Sequence, residues 1–586
     1  MIKKARALAA TTAVLALALG AAACSSKKDE TPGTAAPKPA FNAGVGAVYN
    51  PSDKKGGTLT FAASQDWDSV DPGDTYYGLS WNFLRTYGRS LVMFAPAPGA
   101  AGTKLVGDLA EGLGVPSDGG KTWTYKLRAG LKYEDGTAIK SADVKYAVLR
   151  SLDKEVLVNG PTYFNDWLAL EDGYKGPYKS KGVDTKAIET PDDLTIVFHL
   201  NKPYGGFDYF AMQPSTVPVP EAKDTGAKYK EHVISSGPYM FDTYEAGKGF
   251  TLKRNPEWSA ATDPNRKALP DRYEVKLGLN ANDIDNQLIS GDLQVDIAGT
   301  GVQAATLSKV LSTPDLKARA DNPSIPRLWY TSINPMVKPF DNIECRKAVM
   351  YAVDKVGYQN AYNGEFAGGA IATSMLPPQV PGHLTEDLYP NGADHKGDLD
   401  KAKAALTACG KPTGFDANMA YRSDRPKEKA TAEALQQSLA RVGIKLTLKG
   451  YPTGDYFALY AGKPGFRNGE AQLGLATNGW GADWNDGFGF LQQIVDSRVI
   501  RDSGGSSNLS VMSPEVDALI DAAFNETDQA KRDALWGQVD KKVMENAVIL
   551  PGVWAKALTL RGKNATNVFI NESFGQYDYL SMGVQQ

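Results

Sequence analysis

The residues best suited to chemistry lie between positions 476 and 488, where Asn478, Trp480, Asp483 and Trp484 are interspersed with Gly479, Gly481, Ala482 and Gly487. A carboxylate set between indole faces is suited to holding a cation, above all an ammonium group. A charge-assisted hydrogen bond to such a carboxylate contributes roughly 1.5–3 kcal/mol, and the indole faces add a cation–π attraction. Residues 473–476 read as a short buried strand that the glycines then break into a loop. The same composition also suits a structural loop, with both tryptophans in the core and Asp483 capping a turn. Trp67, Tyr76 and Tyr77, in and after the loop 66–72, form a second aromatic group with the same two uses.

Other chemistries find little support. Four histidines, His199, His232, His383 and His395, are scattered along 586 residues, and no Gly-x-Ser-x-Gly occurs. A hydrolase needs a nucleophile with a base and an orienting group, or paired carboxylates. No metal-ligand spacing is present, and no metal or cofactor is expected. A net charge of −3 without a basic, aromatic-interleaved run argues against nucleic acid as a partner.

The N-terminus indicates the compartment. Lys3, Lys4 and Arg6 precede an apolar run, residues 7–19, and then Gly20, Ala21, Ala22, Ala23 and Cys24. That is a basic n-region, an apolar h-region and small residues at a cleavage point, too short for a comfortable membrane span. A cysteine directly after the small residues resembles a lipobox, in which Cys24 carries a diacylglycerol; Ala21 stands where leucine is usual. Two acyl chains suffice for stable anchoring. Residues 1–23 are thus expected to be a lipoprotein signal peptide and 24–56, rich in Ser, Lys, Pro, Ala and Gly, a flexible tether with a reach of roughly 30 Å. The expected location is the outer face of the cell membrane. Cys345 and Cys409 remain; in an exported protein an even remainder suggests a disulfide, with two buried thiols as the alternative.

The folded part is too long for one core. Leu59 and Phe61 alternate as in a half-buried strand. Asp118, Gly119 and Gly120 form a hairpin turn, and Trp123, Tyr125 and Leu127 alternate on one face of the strand that follows. Ser141 is placed to N-cap a helix with Val144, Ala147 and Val148 on one side. Cys345, Ala348, Val349, Ala352 and Val353 recur at helical spacing, as do Ala432, Leu435, Leu439 and Val442 before Gly443 and a strand. The fold class is α/β.

Several of these segments also resemble one family. Residues 118–128 (DGGKTWTYKLR), 131–136 (LKYEDG), Ser141-Ala142-Asp143-Val144 and Arg150 look like the signature of the family 5 extracytoplasmic solute-binding proteins. So do Ser236-Gly237-Pro238-Tyr239 with Leu252-Lys253-Arg254-Asn255-Pro256, and Pro339-Phe340-Asp341 with Arg346, Ala348 and Tyr351-Ala352-Val353-Asp354. The resemblance implies a two-lobed periplasmic-binding-protein-like fold (type II, cluster C) with an extra subdomain on the first lobe. Lobe I would hold residues 57–88, 220–329 and 549–586, the subdomain 89–219, and lobe II 330–548. It implies a binding subunit of an ABC importer, not an enzyme, which closes on an oligopeptide and delivers it to the permease as a monomer. Gly479-Trp480-Gly481-Ala482-Asp483 is similar to the family's Gly-Trp-x-Ala-Asp pattern, whose acid holds the ligand's α-ammonium in peptide binders. Asn478, Trp480, Ala482, Asp483 and Trp484 would then face the cleft from lobe II, and Trp67, Tyr76 and Tyr77 from lobe I. Some oligopeptide binders carry a basic residue six positions before the acid, near the ligand carboxylate; Thr477 stands there. A binder or sensor of a non-peptide solute (an oligosaccharide or metal chelate) or of a signalling peptide would use the same fold, and an exported hydrolase is the distant alternative.

Overall fold

The computed structural model describes residues 40–510 and 513–585. The signal sequence, Cys24 and the first part of the expected tether lie outside the described residues. No helix among the described residues is long and apolar enough to cross a membrane.

Two sheets organise the chain. The first has the order Val295–Asp296, Thr58–Ala62, Arg272–Lys276, Gly249–Arg254, Tyr239–Glu245. Its opening strand, Thr58–Ala62, pairs in parallel on both sides, so both of its faces are covered. Leu59, Thr60, Phe61 and Ala62 are all buried, where the sequence suggested a half-buried alternation. Phe61 meets Phe83 and Tyr579 edge-on, at 5.4 and 5.3 Å, while Ala62 packs with Ile284 and Leu288.

The second sheet runs Gly369–Ile371, Ile549–Lys556, Ser324–Ile333, Leu473–Gly481, Asp416–Arg422, Lys445–Tyr451. Its central strand Ser324–Ile333 is antiparallel to both neighbours. This moves the expected lobe boundaries. Ser324–Ile333 straddles the expected break after residue 329, and Ile549–Lys556, expected in lobe I, completes the lobe II sheet. A central strand must satisfy its N–H and C=O groups on both sides, so neither strand can be divided. The chain returns to the first lobe just beyond them, where Ala320–Asp321 pairs with Thr559–Leu560.

The expected extra subdomain contains a four-stranded sheet, Val115–Ser117, Thr122–Lys126, Thr195–His199, Ile188–Asp192. Asp118 and Gly119 turn the hairpin at φ 48° and 63°, and Trp123 and Tyr125 face Phe198 and Ile196 across the ladder. In helix Ser141–Arg150 the N-cap is Lys140, not Ser141. The Asp143 carboxylate accepts the Lys140 N–H at 2.8 Å, and Ser141 Oγ donates to Asp192 O at 2.6 Å. Arg150, at the helix end, is buried and bidentate on Asp71 at 2.8 and 2.9 Å, with Asp224 at 3.0 Å. That cluster ties the subdomain to the loop after the opening strand.

Residues 40–56 belong to the body, which corrects the tether's expected extent. Asn42 N–H donates to Ala320 O, Gly44 N–H to Asp321 Oδ1, and Tyr49 bridges Val568. Arg561 covers the Tyr49 ring at 4.5 Å. Short-range composition cannot reveal partners that lie hundreds of residues away. Cys345 and Cys409 form a disulfide, with Cα atoms 5.4 Å apart and a sequence separation of 64. In the chain-entropy account a loop of that length stabilises the fold by about 4 kcal/mol.

Candidate functional site: a cavity between the lobes

Strand Leu473–Gly481 runs further than its glycines suggest. Its antiparallel pairing with Ser324–Ile333 continues through Trp329↔Gly479 to Arg327↔Gly481. A Cβ on Gly479 would lie 2.1 Å from the Trp329 indole, so the glycine makes room for a ring and does not break the strand. On the other side, pairing with Asp416–Arg422 reaches only Ala420↔Ala476. From Asn478 onward that edge has no strand partner among the described residues. It opens on a cavity lined from both lobes.

Asp483 lies in this cavity. Tyr76 Oη, from the first lobe, and Tyr163 Oη, from the subdomain, both donate to its Oδ2 at 2.7 Å. Its backbone N–H donates to Gly489 O at 2.9 Å. Asp68 sets Tyr76: its carboxylate accepts the Tyr76 N–H at 2.5 Å, Ser80 Oγ at 2.8 Å and Thr75 Oγ1 at 2.9 Å. Asp483 makes no ion pair among the described residues, and burial pushes its carboxyl up to about 7 against the pull of the two tyrosine hydrogen bonds. An acid so placed gains its ionised form by taking up a cation.

Residues 104–501 match the profile of the bacterial extracellular solute-binding proteins, family 5 Middle. The chain belongs to that family. It is similar to the solved structure of clavulanic acid biosynthesis oligopeptide binding protein 2, at 44% identity and TM-score 0.83, over 94% of this chain and 99% of that one. It is 25% identical over 531 residues to the glutathione-binding protein GsiB of Shigella boydii, covering 88% of this chain and 93% of the relative. It is also 25% identical over 500 residues to the probable D,D-dipeptide-binding periplasmic protein DdpA of Escherichia coli, covering 83% and 87%. The fold is the two-lobed α/β architecture of these binding proteins.

In this family 5 protein the predicted residues divide into two groups. Trp480, Ala482, Asp483, Tyr76 and Tyr77 line the cavity. Trp480 meets Tyr76 edge-on at 5.5 Å, and Tyr77 Oη donates across the cleft to Thr453 O at 3.0 Å. Trp484, Asn478 and Trp67 are not in the lining. Trp484 stacks on Tyr209 at 5.3 Å and lies 5.0 Å from Tyr163, joining the subdomain directly to lobe II. Asn478 is buried, its Oδ1 accepting the Gly479 N–H. Trp67 is core, edge-on to Phe83 and Phe250. Large aromatics bury where they close gaps, and neighbourhood in sequence does not decide which face that is.

Tyr163, Asp68, Arg327, Arg422 and Arg425 were missed. Arg422 ends an inner strand and is buried with Glu428, at 2.5 and 2.9 Å. Its signal was a charge after the apolar Met419 and Ala420, with an acid on the buried face of the next helix, Pro426–Ala440. Tyr163 carried no comparable signal. Thr477 is buried outside the cavity lining, its Oγ1 3.3 Å from Ala420 O and 3.4 Å from Glu428 Oε2.

Proposed function

We propose that this protein is the substrate-binding subunit of an ABC importer, lipid-anchored through Cys24 on the outer face of the cell membrane. It binds oligopeptides between its two lobes and delivers them, unchanged and as a monomer, to the permease's transmembrane subunits. The observation that carries this is Asp483: an acid without an internal counter-ion, inside a cavity, positioned by tyrosines from the opposite lobe. An α-ammonium supplies the missing charge. The strand edge beyond Asn478 supports backbone pairing with an extended peptide, a form of recognition tolerant of side chains. The similar structure reported above is that of an oligopeptide binding protein.

Lobe closure follows from the same contacts. Tyr76 and Tyr163 reach Asp483 only when the lobes meet, so a ligand that fills the cavity favours the closed state through its differential affinity. The test is calorimetry of tri- to pentapeptides, free-amine and N-acetylated, against wild type and Asp483→Asn. Free-amine peptides should lose about 2–5 kcal/mol on substitution, the cost of truncating one partner of a buried charge pair. Acetylated peptides should change little. Equal loss for both would remove the ammonium role.

A further inference from the structure

The chain passes between the lobes twice, side by side. Ala320–Asp321 pairs with Thr559–Leu560 on the first-lobe side, and Ser324 pairs with Lys556 where the lobe II sheet begins. A change in lobe angle must therefore be absorbed at residues 322–323 and 557–558. The N-terminal arm lies on this joint. Asn42, at φ 62°, donates its N–H to Ala320 O at 2.9 Å, and its Oδ1 accepts the Asn322 N–H at 2.8 Å. Asn322 in turn donates through Nδ2 to Phe366 O of lobe II at 2.8 Å. The Phe366 ring stacks on Phe41 of the arm, with centroids 6.3 Å apart and planes 19° apart.

The arm itself is fixed to the first lobe. Gly44 N–H donates to Asp321 Oδ1 at 2.9 Å, and Gly44 O accepts the Ile570 N–H at 2.8 Å. A Cβ on Gly44 would lie 2.7 Å from Asp321 Oδ2, so this close approach needs glycine. Arg561 holds the same Asp321 carboxylate and donates to Ala40 O at 2.8 Å, while Tyr577 Oη donates to Asp321 Oδ2 at 2.9 Å. Phe366, by contrast, sits on helix Gly364–Gly368, which leads into the lobe II edge strand Gly369–Ile371. Phe41 also packs against a cluster that joins Ile284 and Leu288 of the first lobe, Leu558 of the crossing and Ala367 of lobe II.

We propose that residues 40–50 form a strap across the hinge that favours the closed lobes. The strap is bonded to the first lobe, and Phe41, with Asn42 acting through Asn322, reaches lobe II. Turning lobe II about residues 322–323 and 557–558 would draw Phe366 off Phe41, so the free energy of that contact belongs to the closed state. The contact lies on the joint and not in the cavity, so it biases closure whatever ligand fills the cleft. Ala40 follows Cys24 by 16 positions, so the expected tether meets the body at this strap.

The test uses the mature chain carrying Cys24→Ser. Small-angle scattering gives the ligand-free radius of gyration, and native mass spectrometry after dilution gives the dissociation rate of peptides retained from a free-amine tri- to pentapeptide pool. Phe366 is 49% exposed, so its replacement leaves no buried void. Phe41→Ala and Phe366→Ala should each lower the closed-to-open ratio about 2- to 12-fold, the range for one aromatic pair. The change is read as a larger radius or, where the closed state dominates, as faster dissociation. The double variant should add nothing to either single one, because all three lose the same contact. Phe41→Cys with Phe366→Cys, joined by a short bis-maleimide, should hold the radius at its smallest value with or without peptide. A cross-linked chain that expands as the wild type does overturns the strap. So do alanine variants that leave both radius and dissociation rate unchanged. Retention of no peptide would count against the peptide function, and the scattering comparison would still decide the strap.

Discussion

Asp483→Asn should make the ligand-free protein more stable while weakening its binding of free-amine peptides. Burial raises the Asp483 carboxyl from 3.8 to about 7, so the folded state favours the protonated form. The sign follows from linkage: stability is lost as pH rises from about 4 to about 7, and the loss is complete above that. At one pH unit per 1.36 kcal/mol, ionisation costs the fold about 4 kcal/mol at pH 8 and about 2 kcal/mol at pH 5. Both are ceilings, because opening the lobes rehydrates the carboxylate. Asparagine carries no charge, and its carbonyl still accepts both tyrosine hydroxyls. Unfolding a body of about 540 residues releases about 1.1 kcal/mol/K, so each kcal/mol moves Tm by about 1 °C. Scanning calorimetry of the ligand-free protein should show Asp483→Asn melting up to about 4 °C higher at pH 8, with the gain roughly halved at pH 5. A variant that melts lower, or whose gain is the same at both pH values, would show that no uncompensated charge is stored there. A core residue chosen for packing would show neither the gain nor its pH dependence.

Two other outcomes follow from the contacts. Replacing Cys345 and Cys409 together with alanine should cost about 4 kcal/mol, read as a lower urea midpoint, and reductant should reproduce it in the wild type; an unchanged midpoint would show that the bridge does not restrain the unfolded chain. Lys427, on the lobe II helix Pro426–Ala440, donates across the cleft to Thr300 O at 2.6 Å and Gly301 O at 3.2 Å. Lys427→Met should enlarge the radius of gyration of the ligand-free protein in small-angle scattering, with ligand restoring the wild-type value; no change without ligand would show that this contact does not hold the lobes together.

Periodicity and motif order determined much of this protein. The helix around Cys345, the αβ unit around Ala432 and the hairpin at Asp118 and Gly119 were legible because local propensity and apolar spacing are written in neighbouring residues, while the two-lobed class came from the resemblance of ordered motifs to one family. Asp483 stood out as a candidate because a carboxylate among indoles is a local pattern. What only the tertiary structure decided is which groups face each other across the cleft. Tyr163 meets Asp483 from 320 residues away, and Trp67 and Trp484 turn from the cavity into packing. Residues 40–56, flexible by composition, are held by Ala320, Asp321 and residues near the C-terminus. These are long-range pairings of charge and volume, set by how sheets and lobes close on one another, and no window of sequence contains both partners.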